Sequence, residues 1–432
     1  MTQKKFSLKF GKKEISFDIP EKALPYELIG WNRPACEDLP EAYRFALDHP
    51  IDAPPLREIL KPSDKVVIIV PDITRVWQRS NLTLPILMDY LNQAGLEDSQ
   101  ISIINGVGAH RQNSEEEFAE LCSEEVCKRV RIVNHNAYDT ANMVELGTTS
   151  RGTQVAVNRL VAEADRVILT GGVIYHYMAG FGGGRKSILP GVSTLKTIQQ
   201  NHLRCLTDEV GGGTNPSTAT GITSGNPMHE DMMEAAAFVN PDFLVNVVPN
   251  MDGDITGIFT GNWVSAWQQA CQMAERIFGV PIEAQADIVI ASAGGYPKDI
   301  NLYQSQKTID NAVYAMRPGG VAIILAQCPH ISDPPEFFDW FRYPDIPSLE
   351  TAARDNFLIS GWLAIRQMEY KNQGTIILLT EKDNMELARK AHVEPVSTIS
   401  AALKLAYQKC GTPTPQITVM PQGANTFPIA GE

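Results

Sequence analysis

Short, β-branched apolar runs that recur at intervals filled by amphipathic stretches leave this chain few folds to choose from. Lys65-Val-Val-Ile-Ile-Val70 is followed by ISIIN at 101–105, VRIV at 130–133, RVILT at 166–170 and FLVNVV at 243–248. Each run is short, rich in valine and isoleucine, and lacks the apolar–polar alternation of a half-exposed strand, so each reads as a strand buried on both faces. Helix-like stretches lie between them at Leu82–Ala94, Glu115–Lys128 and Met228–Val239. Such alternation predicts a mostly parallel sheet with helices on both faces. Beyond residue 280 the pattern restarts, with DIVIA at 287–291, a helical Tyr303–Met316, GGVAIILA at 319–326, TIILLT at 375–380 and ITVM at 417–420. A chain of 432 residues is long for one core. The expectation is α/β: two α/β domains with mostly parallel sheets, 1–270 and 271–432, an active-site cleft between them, and Trp263–Phe278 as connector. Residues 1–20 alternate around Gly11 as a β-hairpin, and the proline-rich forty residues that follow read as an extended connection.

Bulk properties narrow the function. A net charge of -13 argues against a nucleic-acid-binding surface and against an anionic membrane as partner. No run approaches the ~18 apolar residues of a membrane span, and MTQKKFSLKF lacks the apolar core of a secretory signal. Seven dispersed cysteines without a Cys-x-x-Cys pair suit reduced thiols, so the expected location is cytoplasmic.

The segment from His176 to His202, HYMAGFGGGRKSILPGVSTLKTIQQNH, concentrates the chemistry. Gly182, Gly183 and Gly184 carry no Cβ, so the backbone there can take positive φ and approach a ligand closely. Lys186 follows two residues later, and the whole segment follows the buried run 166–170, where open α/β sheets gather ligands. A phosphate-binding P-loop requires Gly-Lys-Ser/Thr, and Arg185 occupies the glycine position here. The favoured reading is a loop that holds a cofactor and positions Lys186.

Other candidates also stand just after strand-like runs. Asp72 and Arg75 lie in PDITR, His110 in GVGAHR, and Tyr303, Gln304 and Lys307 follow the GGYPKD loop. In a doubly wound sheet the carboxyl ends of the strands share one rim, so such residues can converge. His110, His176 and His202 each neighbour a glycine-rich loop or a strand end, where an imidazole can act as acid, base or metal ligand. His49, His135, His229, His330 and His392 read as surface or packed residues. Arg75 and Lys307 are anion anchors, the guanidinium by two parallel hydrogen bonds and the ammonium as a point charge. Trp362, in LISGWLAIR, reads most simply as a core residue, although tryptophan can also wall off a small substrate.

Taken together, GAHR, YHYMAGFGGGRKSILPG, the QNH ending at His202 and GGYPKDINLYQSQK make the chain resemble the nickel-dependent lactate racemases over nearly its whole length. The glycine–lysine segment is highly specific, and the Tyr303, Gln304, Lys307 and Trp362 matches are looser. The resemblance implies a nickel pincer nucleotide, a pyridinium mononucleotide whose two sulfur arms and ring carbon hold nickel. By the same resemblance Lys186 would tether the cofactor through a thioamide, with Gly183, Gly184 and Asp72 beside it, and His202 would be the protein ligand to nickel. His110 and His176 would be the paired acid/base residues. Arg75 and Lys307, helped by Tyr303, Gln304 and Trp362, would hold the substrate carboxylate. The implied partners are a small 2-hydroxy acid and the proteins that synthesise the cofactor.

The chemistry agrees with the residue types. The α-hydrogen of a 2-hydroxy acid is far too weakly acidic for a histidine of pKa ~6.5 to remove as a proton. Hydride transfer to an electrophilic cofactor avoids the carbanion, because a histidine then takes only the hydroxyl proton and leaves a 2-keto acid. The expected function is a 2-hydroxy-acid racemase or epimerase acting on lactate or a related acid. The alternative is a non-catalytic nucleotide- or cofactor-binding protein of the same fold, which would not need both acid/base histidines. A nicotinamide dehydrogenase is disfavoured because no Gly-x-Gly-x-x-Gly follows a strand.

Overall fold

The structure, a computed structural model, describes residues 3–24 and 26–431. They form two compact α/β units. The first comprises Trp31–Cys205 and Ser217–Ile277; the second comprises the residues up to Gly30, Leu206–Pro216 and those from Phe278 onward. The partition is therefore discontinuous, unlike the single 270/271 boundary read from sequence. Burial explains the difference. The N-terminal hairpin, Gln3–Phe10 with Lys13–Pro20, turns Phe6, Leu8, Phe17 and Ile19 into the cluster that holds Ile288, Ile290, Ile323 and Ile377. Tyr26–Glu27 then adds a parallel strand beside Ile417–Met420.

In the first unit, one sheet runs Ile255–Gly261, Phe243–Pro249, Arg166–Gly172, Val66–Pro71, Ile101–Gly106, Arg131–Asn134. All neighbours pair in parallel except Ile255–Gly261, which closes the edge antiparallel to Phe243–Pro249. The chain enters at Val66–Pro71, fills two positions on one side, then crosses to Arg166–Gly172 on the other. That reversal is the topological switch point of a doubly wound sheet, outside whose strand carboxyl ends ligands bind. The apolar runs take the central places: Val66, Ile68, Val70, Ile103 and Phe243 are buried with Leu84, Leu87 and Leu91 of the following helix. Each such side chain contributes roughly 1.5–3 kcal/mol on burial.

The second unit contains a six-stranded sheet in the order Glu394–Val396, Thr375–Leu379, Met316–Leu325, Ala286–Ser292, Ile417–Met420, Tyr26–Glu27. Every pairing in it is parallel. The helix Leu302–Ala315 follows Ala286–Ser292 and is capped by Asn301, whose side chain accepts from Gln304 N.

Two expectations change in detail. The stretch 115–128 is two helices, Glu115–Cys122 and Glu124–Arg129, because Ser123 takes φ 78 and its hydroxyl caps the second by accepting from Val126 N. The proline-rich connection carries the helix Leu39–Asp48, with Asp38 as N-cap and a proline in the first turn. Proline marked a helix start there, where its fixed φ fits and its missing N–H costs nothing. No described helix is long and apolar enough to cross a membrane.

Buried His135 joins the loop after Arg131–Asn134 to the glycine segment, its Nε2 donating to the Ser193 carbonyl at 2.9 Å. Burial holds its pKa down to about 4. The folded state therefore keeps it neutral while the unfolded chain protonates it near pH ~6.5. Its contribution to stability is full above that pH and is lost as pH falls toward 4, at about 1.4 kcal/mol per pH unit. His135→Gln keeps a donor for Ser193 but cannot titrate. Denaturant unfolding between pH 6.5 and 4.5 should show about one proton fewer taken up by the variant; identical slopes would contradict the assignment.

Candidate functional site

The carboxyl ends of the central strands carry the candidates. Asp72 and Arg75 follow Val66–Pro71, His110 follows Ile101–Gly106, and His176 and Lys186 follow Arg166–Gly172. Side-chain amides fix the rim. Asn105 Nδ2 donates to the Val70 and Pro71 carbonyls at 3.3 and 2.7 Å, and Asn105 Oδ1 accepts from Asn113 Nδ2 at 2.8 Å. Gly108 N donates to Gly191 O at 2.9 Å, tying the His110 loop to the glycine segment.

Asp72 is buried, and its Oδ1 accepts from the Thr74 amide at 2.8 Å and from the Thr74 hydroxyl. Its Oδ2 lies 2.7 Å from Nδ1 of His110, whose side chain is half exposed. Burial pushes the Asp72 pKa upward, but the hydrogen bond from His110, the Arg75 charge and the bond from Thr74 outweigh it and hold the carboxyl below its usual 3.8. The carboxylate thus takes the Nδ1–H of His110 and leaves the lone pair on Nε2. Arg75 rests its Nη1 on Thr74 Oγ1 at 3.0 Å.

His176 is arranged the other way. Its Nδ1 accepts from the amides of Met178 and Ala179, both at 3.2 Å, so the ring proton of the neutral form sits on Nε2. Burial, then the charges of Lys186, Arg75 and Arg185, keep its pKa well below 6.5. The two histidines rest in opposite tautomers.

The glycine loop has no room for side chains. Gly183 and Gly184 take φ +67 and +55; a Cβ on Gly183 would stand 2.6 Å from Asn246 Oδ1, and one on Gly184 2.6 Å from the Trp267 ring. A 3-10 turn, Gly184–Ser187, presents Lys186. Burial, then the charges of Arg185 and Arg75, bring the Lys186 pKa down to about 7.

Buried His202 ends the helix Leu195–His202, which Thr194 caps. Its Nδ1 donates to Ile198 O at 2.9 Å, which leaves the lone pair on Nε2. Burial, then the Lys186 charge, hold its pKa at about 3. A neutral imidazole with its second nitrogen bonded to a carbonyl is the form that ligates metals. The preceding Asn201 is locked by buried Asp231, its Nδ2 donating to Asp231 Oδ2 at 2.9 Å. Among the described residues, no group of three His, Cys, Asp or Glu side chains forms a metal site.

Tyr303, Gln304, Lys307 and Trp362 belong to the second unit. Lys307 Nζ donates to Gln304 Oε1 at 3.0 Å, one helical turn away, and Tyr303 packs edge-on to Phe337. Trp362 is 1% exposed, a core position. Sequence reasoning missed Asn105, Asn246 and Trp267 and set His229 aside as packed. All four shape the rim, and none of them carried a motif; the one available signal was an amide inside an otherwise apolar strand, as at Asn105 and Asn246.

Comparison with known proteins places the chain. Residues 10–213 match the family profile Lactate racemase N-terminal domain, and residues 282–427 match Lactate racemase C-terminal domain. A lactate racemase from Thermoanaerobacterium thermosaccharolyticum is 30% identical over 425 residues, covering 97% of both chains. One from Lactiplantibacillus plantarum is 31% identical over 396 residues, covering 89% of both. The solved structure of the lactate racemase apoprotein from Thermoanaerobacterium thermosaccharolyticum shares the fold with a TM-score of 0.89 at 29% identity, covering 99% of this chain and 100% of that one. A Thermotoga maritima protein with a TM-score of 0.66 at 18% identity, covering 93% and 100%, is alike in fold. With both domain profiles matched and relatives aligned over nearly its full length, the chain belongs to the lactate racemase family and is an isomerase of the racemase type.

Proposed function

We propose that this protein racemises lactate or a closely related 2-hydroxy acid, using a nickel pincer nucleotide tethered to Lys186. The observation that carries the reading is the pair of oppositely tautomerised histidines, His110 and His176, on one rim with Arg75 and Lys186. The names of the relatives support lactate as the first substrate to try. The residues also fit the cofactor: a basic site in an acidic chain suits an anionic mononucleotide, the Lys186 amine, its pKa brought down to about 7, suits covalent attachment, and His202, with Nδ1 bonded to Ile198 O, suits a metal. On the resemblance, His202 would be the protein ligand to nickel and the cofactor would supply the other donors. When bound, such a cofactor supplies an electrophile that takes and returns the hydrogen of the hydroxyl-bearing carbon as hydride.

The chain's own residues then have defined tasks. His110 Nε2 takes the hydroxyl proton, and Asp72 stabilises the imidazolium while holding the ring by Nδ1. His176 donates a hydrogen bond from Nε2–H to the oxygen from its own position; to act as acid it must first gain a second proton, which requires release of the Met178 and Ala179 amides from Nδ1. The acid/base pair is therefore chemically unequal at rest. Arg75 holds the carboxylate, and on the resemblance Asp72 would neighbour the cofactor. Tyr303, Gln304, Lys307 and Trp362 are assigned to substrate binding on the resemblance. A protein that merely stored the cofactor would need neither the Asp72–His110 bond nor Arg75.

The direct test is incubation of cofactor-loaded protein with one enantiomer of lactate. Appearance of the other supports the reading; none across several 2-hydroxy acids would remove it. Asp72→Asn keeps the shape but lets Nδ1 of His110 accept rather than donate, so kcat should fall ~10²–10⁴-fold. Because the two enantiomers are equal in energy, kcat/KM must fall equally in both directions. A near-normal rate would detach Asp72 from the base. Arg75→Lys keeps the charge but loses the fork, and should cost at least ~1.4 kcal/mol in kcat/KM; unchanged kinetics would take Arg75 out of the carboxylate site.

A further inference from the structure

Arg185, the residue that breaks the P-loop pattern, is fully buried and has no carboxylate partner among the described residues. Its Nη2 donates to Ala179 O at 2.6 Å and its Nη1 to Phe181 O at 2.8 Å, with Gly182 O and Gly183 O at 3.4 and 3.3 Å. Its Nε donates to Nδ1 of His229 at 3.1 Å, and the guanidinium lies 4.3 Å from the Trp267 ring centroid. Trp267 completes the enclosure: its Nε1 donates to Gly182 O at 2.8 Å, and its ring stacks on His229 at 5.2 Å. Asn246 Oδ1 accepts from Gly184 N at 2.9 Å. Four carbonyls, a neutral imidazole and an aromatic face satisfy the cation, and none of them neutralises it.

A buried charge is normally paired, because desolvation is costly. Here two elements converge to keep one unpaired, the helix Pro227–Val239 with His229 and the helix Ser265–Phe278 with Trp267, while Asn246 of the strand Phe243–Pro249 fixes the neighbouring Gly184. A carboxylate in place of His229 would hold the guanidinium as well but would cancel its field at the next residue. We propose that Arg185, oriented by His229 and Trp267, is the positioning residue for Lys186: it holds the glycine loop by its carbonyls and keeps an uncompensated positive charge beside the turn that carries the Lys186 amine. The result is an amine kept nucleophilic at neutral pH, which is what attachment of an electrophilic cofactor requires. The lowered pKa of Lys186, to about 7, has Arg185 as its largest charge contribution after burial, and His229 stays neutral because burial and Arg185 hold its pKa at about 3.

The inference rests on the tether reading of Lys186, and its test works without cofactor. Apoprotein is treated with a trace of acetic anhydride at pH 7, and acetylation of Lys186 is quantified by peptide mass spectrometry against the same peptide labelled after denaturation. Arg185→Met should slow acetylation of Lys186 about fivefold or more, as its amine returns toward the ordinary lysine pKa. Arg185→Lys, which keeps a charge, should lose less. His229→Asn, whose Oδ1 can replace Nδ1 as acceptor, should stay within about twofold of the parent, and His229→Leu should not. If Arg185→Met fails to fold, the His229 pair decides. Equal Lys186 reactivity in the parent, Arg185→Met and His229→Leu proteins would overturn the inference even if a cofactor adduct forms on Lys186. The expected ranking would sustain it even if the adduct were found elsewhere, which would overturn the tether reading alone.

Discussion

Positive charge gathered at one end of a sheet, and left largely uncompensated, is the constraint around which the first unit is arranged. Arg75, Arg185 and Lys186 all act on His176, while the Asp72 carboxylate nearby is engaged by His110. Assembling like charges out of water is costly, so the surroundings must be rigid. The rigidity comes from the switch point: Val66–Pro71 and Arg166–Gly172 are adjacent parallel strands, buried along their length, that hold the two richest loops side by side. Asn105 and Asn246 extend that rigidity into the loops through backbone bonds. An anionic ligand would relieve the repulsion, so the same arrangement favours binding one.

The fold was legible wherever strands are buried on both faces, because a short β-branched run bounded by polar residues has few conformations that bury all of it. The runs at 101, 166, 243, 287 and 417 became strands within a residue or two of their expected limits. The antiparallel edge Ile255–Gly261 was missed, since ITGIFTG contains two interior polar or glycine breaks and reads as neither period. The assignment of the first thirty residues to the second unit was also hidden: a hairpin's pattern shows that it has a buried face, and says nothing about which sheet that face meets.

The candidate site was legible to the same extent as its motifs. Lys186, His202 and the paired histidines stood out through glycine loops and strand ends. Their protonation did not, because it is set by partners that carry no motif of their own: Asp72 for His110, local amides for His176, Ile198 O for His202. His229 illustrates the limit. From sequence it is one histidine among eight, and only its contact with Arg185 Nε gives it a task. Neutral buried residues that orient a charge leave no sequence pattern, since any acceptor of the right shape would serve.

The central claim is that the basic rim holds a nickel-bearing cofactor covalently at Lys186. Protein co-expressed with a cofactor-synthesis system should be digested and mapped by mass spectrometry, with nickel measured on the intact sample. The expected result is an added mass confined to the peptide containing Lys186, nickel near one per loaded chain, and loss of that nickel in His202→Ala while the adduct remains. Protein that interconverts the enantiomers of lactate with Lys186 unmodified, or with the added mass on another residue, would contradict it.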